Sequence, residues 1–166
     1  MKKRLKQSPT LPQAHVLRPS IVVGPEDDFF NRFARMAQIA PALPLIGGGL
    51  TRYQPVSVFD VAQAVAACSD GAPSGIYELG GPQVYTFREL MELMLNKIGK
   101  RRLLVPLPFA AAGMLAQFTR FLPTPPLTPD QVILLRSDNV VGENAPDLAA
   151  LGIEATPIAA LLDSYL

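Results

Sequence analysis

Between Ala14 and Pro25 the chain reads AHVLRPSIVVGP, a β-branched apolar run that carries Arg18 as its one formal charge. A run of this kind suits a parallel strand covered on both faces, not a half-exposed antiparallel one. Gly24-Pro25 stops it. A buried parallel strand cannot stand alone, because its two edges and two faces need neighbours. The strand over Val16–Val23 is therefore expected to pair with another chain, with a second copy, or within a rearranged sheet of this one. An open apolar edge would otherwise invite aggregation.

The rest of the chain alternates helix and strand signals, which argues for α/β. A helix is expected over about residues 27–39, with Phe29, Phe30, Phe33, Met36 and Ala37 as its apolar stripe. Asp27 and Asp28 stand near its N-terminus, where negative charge is favoured. Pro41, Pro44 and Gly47-Gly48-Gly49 read as a loop. Thr51 to Val58 reads as one strand, and Asp60 as the N-cap of a helix over Val61, Ala62, Val65 and Ala66. A turn at Gly71–Gly75 precedes a short strand, Ile76–Leu79, closed by Gly80-Gly81-Pro82. Thr86 and Glu89 make a capping box. The helix behind it has Phe87, Leu90, Met91, Met94, Leu95 and Ile98 at helical spacing and ends at Gly99. Lys100, Arg101 and Arg102 then read as a solvated group that compensates that helix's dipole. Leu103–Val105 reads as a short strand and residues 109–121 as an Ala-rich helix. Pro123–Pro126 reads as a rigid linker. Helices open at Thr128-Pro129 and at Thr156-Pro157.

Size and charge narrow the function classes. The 166 residues, 49% apolar and 17% charged, suit one domain with a core of its own. Fifteen basic against 14 acidic residues give a net charge of +1, with no general pull toward nucleic acid or anionic lipid. Lys2, Lys3, Arg4 and Lys6 are read as a solvated cluster in a tail or helix remnant over residues 1–13, with residues 14–166 as the folded part. The lone Cys68, among Val65, Ala66 and Ala67, excludes an internal disulfide and reads as a buried inert thiol. With His15 as the one histidine, no metal site is expected. The longest apolar stretch, Leu103 to Leu122, is broken by Pro106, Pro108, Gln117 and Arg120. It makes a poor membrane span but suits a membrane-surface or partner-facing helix.

Catalytic motifs are missing. Gly47-Gly48-Gly49 and Gly80-Gly81 lack the spacing of a dinucleotide fingerprint and read as turns. There is no P-loop, HExxH or GxSxG. A general acid/base tyrosine needs a nearby cation to lower its pKa; neither Tyr85 nor Tyr165 is followed by a lysine four residues on. No catalytic residue is assigned.

Several segments match one family in order. The strand Val16–Pro25 resembles the late Rossmann strand of extended, epimerase-like short-chain dehydrogenase/reductases. Tyr53-Gln54-Pro55-Val56-Ser57-Val58-Phe59-Asp60-Val61-Ala62 resembles their strand leading into a helix. Ile76–Pro82 and Thr86–Leu90 resemble the strand and helix after it. Gly24-Pro25-Glu26-Asp27-Asp28-Phe29-Phe30-Asn31-Arg32-Phe33, with Thr128–Val132 and Asp138-Asn139-Val140-Val141, resembles the atypical branch that contains the NDUFA9-like (39 kDa) accessory subunit of respiratory complex I and its bacterial relatives. The resemblance covers about residues 14–166.

It implies the C-terminal part of an NAD(P)-binding Rossmann-like fold: the late strand plus a small mixed α/β substrate-side lobe. In the family, an N-terminal half holds the pyrophosphate on a Gly-rich turn, and a Tyr and Lys ahead of the late strand move protons. Neither feature stands in this chain. NAD or NADP is implied as the cofactor, with no metal. Pro19, Ser20 and Ile21 match the loop beside the nicotinamide. Arg52 and Gln54 match the region that faces substrate, where an arginine would suit a phosphate. The plainer readings are Pro19 as strand terminator, Arg52 as a surface residue, Asp60 as a cap, and Arg18 as half of an ion pair.

Three functions are weighed. The first is a truncated NAD(P)-binding protein, like the complex I accessory subunit and without independent catalysis, whose partners are a respiratory complex or the missing N-terminal half. The second is a non-enzymatic assembly module of a membrane respiratory complex. The third is a complete but divergent nucleoside-diphosphate-sugar epimerase or reductase. A cytoplasmic location, peripheral membrane association on the inner face of a bacterial membrane and a homo-oligomer are expected. No nucleic-acid partner is.

Overall fold

The computed structural model describes residues 14–119, 121 and 129–166. The tail over residues 1–13, the linker at Pro123–Pro126 and Thr128 lie outside the described residues. In chain order the elements are β1 His15–Pro19, β2 Val22–Val23, α1 Asp28–Ile39, β3 Ala42–Ile46, β4 Arg52–Tyr53, β5 Val56–Ser57, α2 Val58–Ser69, β6 Gly75–Leu79, β7 Tyr85–Thr86, α3 Phe87–Lys97, β8 Leu103–Leu107, α4 Phe109–Thr119, α5 Pro129–Leu134 and α6 Ile158–Leu162. Tight 3-10 turns sit at Gly47–Gly49 and Ala149–Leu151. These elements divide into two interleaved compact units.

The first unit takes residues up to Asp27, Gln54–Val84 and Asn139–Tyr165. Its strand over Val16–Val23 is broken: β1 ends at Pro19, the chain bends at Ser20-Ile21, and β2 resumes. β1 pairs in parallel with β6, Val16 opposite Ile76 and Arg18 opposite Glu78. β2 pairs in parallel with β5. The expected pairing is therefore made within the chain. β1 is half-buried instead of covered on both faces. The core beneath is Val56, Ala64, Tyr77, Leu79 and Leu148, joined by Leu17, Val22 and Val61.

Helix α2 corrects two expectations. Its N-cap is Ser57, whose Oγ accepts from the Phe59 N–H. Asp60 lies in the first turn and is buried. There its carboxylate accepts from the Thr156 N–H and Oγ, both at 2.8 Å. The cap goes to the residue at the strand–helix junction, and Asp60, already helical, reaches across to a distant segment. Besides Asp60, Ala64 is buried on this helix, while Ala62, Val65 and Ala66 are exposed. Cys68 on the same helix is half-buried.

The second unit takes Asp28–Tyr53 and Tyr85–Asp138. α1 buries Phe30, Ala34 and Ala37. The capping box of α3 forms as expected. Thr86 Oγ1 accepts from the Glu89 N–H, and Glu89 Oε2 accepts from the Thr86 N–H at 2.6 Å. α3 buries Phe87, Leu90, Met91, Met94 and Leu95. Gly99, at φ +63°, closes it, with Lys100 N–H donating to the Leu95 carbonyl and Gly99 N–H to Asn96. That pair of bonds is a Schellman ending, which needs the left-handed residue. Full burial of Phe30 and Phe87 contributes on the order of 2 kcal/mol each. Phe29, Phe33 and Phe87 meet edge to face, with centroids 5.5 to 5.9 Å apart.

The loop expected at Pro41–Gly49 contains a strand. β3 pairs in parallel with β8, Pro44 opposite Val105 and Leu45 opposite Pro106. In a two-stranded ladder each strand has an unpaired side, so a proline is tolerated there. The triple glycine after it does turn, with all three φ between +62° and +75°. A Cβ on Gly47 would stand 2.3 Å from the Phe109 ring. Arg102 also departs from expectation: its Nε donates to the Ala37 carbonyl at 2.8 Å, closing α1 instead of α3. The expected strand Thr51–Val58 is two short ones, since β4 pairs antiparallel with β7 while β5 pairs with β2.

Candidate functional site

The first unit gathers Ser20 and Gln54. The bend after β1 puts Ser20 Oγ 2.6 Å from the Asn139 carbonyl, to which it donates, and 3.2 Å from the Gln54 N–H, from which it accepts. Gln54 N–H also reaches Asn139 at 3.1 Å. The Gln54 side chain is used at both ends: Nε2 donates to the Gly81 carbonyl at 2.8 Å, and Oε1 accepts from the Val141 N–H at 3.0 Å. This clasp explains Gly80-Gly81. A Cβ on Gly80 would lie 2.6 Å from Gln54 Cδ, and one on Gly81 2.2 Å from the Pro55 carbonyl oxygen. The pair is there for close packing, as a turn.

The backbone at the cofactor-matched positions is similarly occupied. Pro19 is exposed and has no N–H. Ser20 N–H donates to Leu79, and the Ile21 carbonyl accepts from Val56. Neither Gly47–Gly49 nor Gly80-Gly81 opens a helix. The described residues thus do not by themselves form the glycine-lined helix N-terminus that a pyrophosphate needs.

On the outer side of β6, Glu78 holds a second anchor. Its Oε2 accepts from the Gly142 N–H at 2.9 Å, its own N–H donates to Pro146, and Arg18 stands 3.9 Å from Oε1. Arg18 is in an ion pair, as the plainer reading expected.

Arg52 belongs to the second unit. It is exposed, and Asp138 takes both its N–H, at 2.8 Å, and its Nε, at 2.9 Å. These bonds, the backbone one first, hold the Asp138 carboxyl below the usual range. Asp138 and Asn139 were legible in the sequence as part of a matched segment, but nothing local marked them as the partners of Arg52 and Ser20.

Tyr53, Tyr85 and Tyr165 are each raised, away from proton transfer near neutral pH. Burial, then the Asp138 carboxylate, raises Tyr53. Tyr53 hydroxyl is a buried side-chain polar atom without a hydrogen-bond partner among the described residues. Burial, then Asp27, raises Tyr165, whose hydroxyl donates to Asp27 Oδ2. Tyr85 is raised by burial and Glu89. Tyr77 donates to the Pro73 carbonyl. An acid/base tyrosine needs the opposite shift. Among the described residues no three His, Cys, Asp or Glu side chains gather to hold a metal.

Parallel strand pairs crossed by helices are the fold of Rossmann-type short-chain dehydrogenases and epimerases, and solved structures agree. The human epimerase family protein SDR39U1, isoform 2, with NADPH superposes at a TM-score of 0.68, with 18% identity over 91% of this chain and 47% of that one. The dTDP-glucose 4,6-dehydratase of Bacillus anthracis with NAD gives 0.63, with 18% identity over 91% and 42%. In sequence, the chain is similar to NDUFA9-type subunits. It is 40% identical over 147 residues to the Arabidopsis thaliana NADH dehydrogenase [ubiquinone] 1 alpha subcomplex subunit 9, covering 81% of this chain and 37% of that protein. The 40 kDa subunit of Neurospora crassa NADH-ubiquinone oxidoreductase is 30% identical over 158 residues, 93% of this chain and 41% of that protein. The chain thus spans about two fifths of the length of these curated relatives. No protein-family model matches it.

Proposed function

We propose that this chain is an accessory-subunit-like component of a respiratory NADH dehydrogenase assembly, without catalysis of its own, and that NAD or NADP is held only together with a further Gly-rich half. The observation that carries this is the fate of the matched positions. Ser20, Gln54 and Arg52 are spent on Asn139, Gly81, Val141 and Asp138, so their polar groups hold the fold together. The relatedness to complex I subunits supplies the assembly. Pro19, Ser20 and Ile21 at the cofactor, and Arg52 and Gln54 at a substrate, remain the positions at which a whole protein would make contact. Calorimetric titration of the purified chain with NADH and NADPH tests the reading. No heat of tight binding is expected; a micromolar site in the isolated chain would overturn it.

Peripheral membrane association is the second part of the proposal. No described helix is long and apolar enough to cross a membrane. The second unit nevertheless exposes Phe118 at 81% and Phe121 at 85%, with Leu115, Ile133 and Leu134 also outward. Lys100 and Arg101 add basic charge. Such a surface fits a headgroup boundary on the inner face of a bacterial membrane. The chain is expected to float with anionic vesicles at low salt and to remain at the bottom with neutral ones. Equal behaviour with both would sink the membrane part. A divergent sugar-nucleotide epimerase and a free cytoplasmic homo-oligomer are the competing readings.

A further inference from the structure

We propose that Met114 is a modification site: a hydroperoxide converts its thioether to the sulfoxide, and the change releases the second unit from an anionic lipid surface. The inference rests on the membrane reading above and names how that surface is regulated.

The first observation is where the sulfur lies. Ala112 and Ala116 are the buried positions of α4 and belong to one cluster with Ile46 and Val132. Met114 stands two residues from each, about half a turn round the helix, and so on the opposite side. It is 60% exposed. Phe118 follows on the same face four residues on, and Phe121 stands outward beyond the helix end. Met114 therefore sits in the apolar surface that the membrane reading uses. A Cβ on its neighbour Gly113 would meet nothing within 4 Å, so this stretch of α4 is open to a small solute.

The second observation is the contrast with the other sulfurs. Among the described residues, Met91 and Met94 are fully buried on α3, and Met36 on α1 is half-buried. Cys68 on α2 is half-buried as well. A peroxide has to reach the sulfur it oxidises, so exposure makes Met114 the first thioether to react.

The step balances without any group beyond the peroxide. The Met114 sulfur attacks one peroxide oxygen with a lone pair, and the S–O bond forms as the O–O bond breaks. Sulfur loses two electrons and the peroxide gains them. With hydrogen peroxide, the departing hydroxide takes the proton of the transferred hydroxyl and leaves as water. A polar S=O then stands where a thioether stood. Burying that group against acyl chains strips its water, a cost the thioether does not incur. A thiol-dependent methionine sulfoxide reductase reverses the step.

The test floats the full chain with anionic vesicles before and after hydrogen peroxide, while peptide mass spectrometry locates the added oxygen. Met114 should gain oxygen well before Met91 and Met94, and vesicle affinity should then fall about fivefold. Reductase treatment should restore it. Met114→Leu, apolar and of similar volume, should bind like the unsubstituted chain and keep its binding after peroxide. Met114→Gln should bind weakly with no peroxide at all. Because Met114 is exposed, both variants should melt with the unsubstituted chain; if Met114→Gln does not, recovery by the reductase decides in its place. A Met114→Leu variant that loses binding on peroxide treatment would place the effect at another sulfur and overturn the site. Oxidised Met114 with undiminished flotation would overturn the switch while sparing the membrane surface. An unmodified chain that never floats with anionic vesicles would overturn both.

Discussion

At the residue scale, the buried carboxylate of Asp60 is tied to both the N–H and the hydroxyl of Thr156. Asp60→Ala would leave a half-buried N–H without its acceptor. A loss of roughly 2 kcal/mol is expected, read as a lower urea midpoint with an unchanged slope. Arg52 behaves differently. Its ion pair with Asp138 is exposed on both sides, so Arg52→Ala should cost no more than about 1 kcal/mol. The main cause of the lowered Asp138 pKa is the Arg52 backbone N–H, which the alanine variant keeps. Carbon-detected NMR titration of Asp138 should therefore still show a carboxyl below its ordinary value; a full return to that value would mean the guanidinium dominates.

The capping box is the sharpest case at the element scale. Thr86→Ala removes the acceptor of the Glu89 N–H and should cost about 1 kcal/mol. The Glu89 carboxyl is lowered mainly by the Thr86 N–H, then by the Thr86 hydroxyl. The sign follows from the direction of the shift. A carboxyl depressed in the folded state contributes its stability above the ordinary carboxylate range, near pH 4, and loses it as pH falls toward the folded value. Thermal midpoints should thus be flat near neutrality and fall below about pH 4, less steeply in Glu89→Gln. The Gly81 turn is less forgiving. Gly81→Ala drives a Cβ to 2.2 Å from a backbone oxygen, and the backbone must move. A loss above about 2 kcal/mol is expected in chemical denaturation. A midpoint within error of the unsubstituted protein would show that the turn can relax.

Across the whole molecule, the surface is more apolar than a solitary domain needs. Phe118, Phe121, Ile133 and Leu134 stand outward in one unit, and Phe59 and Val65 in the other. Large exposed apolar patches mark partner or membrane surfaces. Replacing Phe118 and Leu134 by serine should change stability by no more than about 0.5 kcal/mol each. The same change should lower concentration-dependent light scattering. A double variant that unfolds would show that these side chains are packed in solution.

What the chain determines by itself is mostly helical. α1, α3 and α4 are legible because a helix is decided by contacts three and four residues apart, and the Thr86–Glu89 box and Gly99 ending are local signals of the same reach. The order of the matched segments likewise leads to the Rossmann-type fold and to the complex I relatives. Strand pairing was not legible to that degree. β3 hides behind Pro44 because its stability comes from β8, about sixty residues on. Thr51–Val58 splits because β4 and β5 find different partners. The roles of Asp60, Arg102 and Gln54 also needed the tertiary structure, since Thr156, Ala37 and Val141 are far away in sequence. So did the buried side of α2. Its apolar residues nearly encircle the helix, and only the packing of β1, β2 and β5 decides which of them turn inward and which stay exposed.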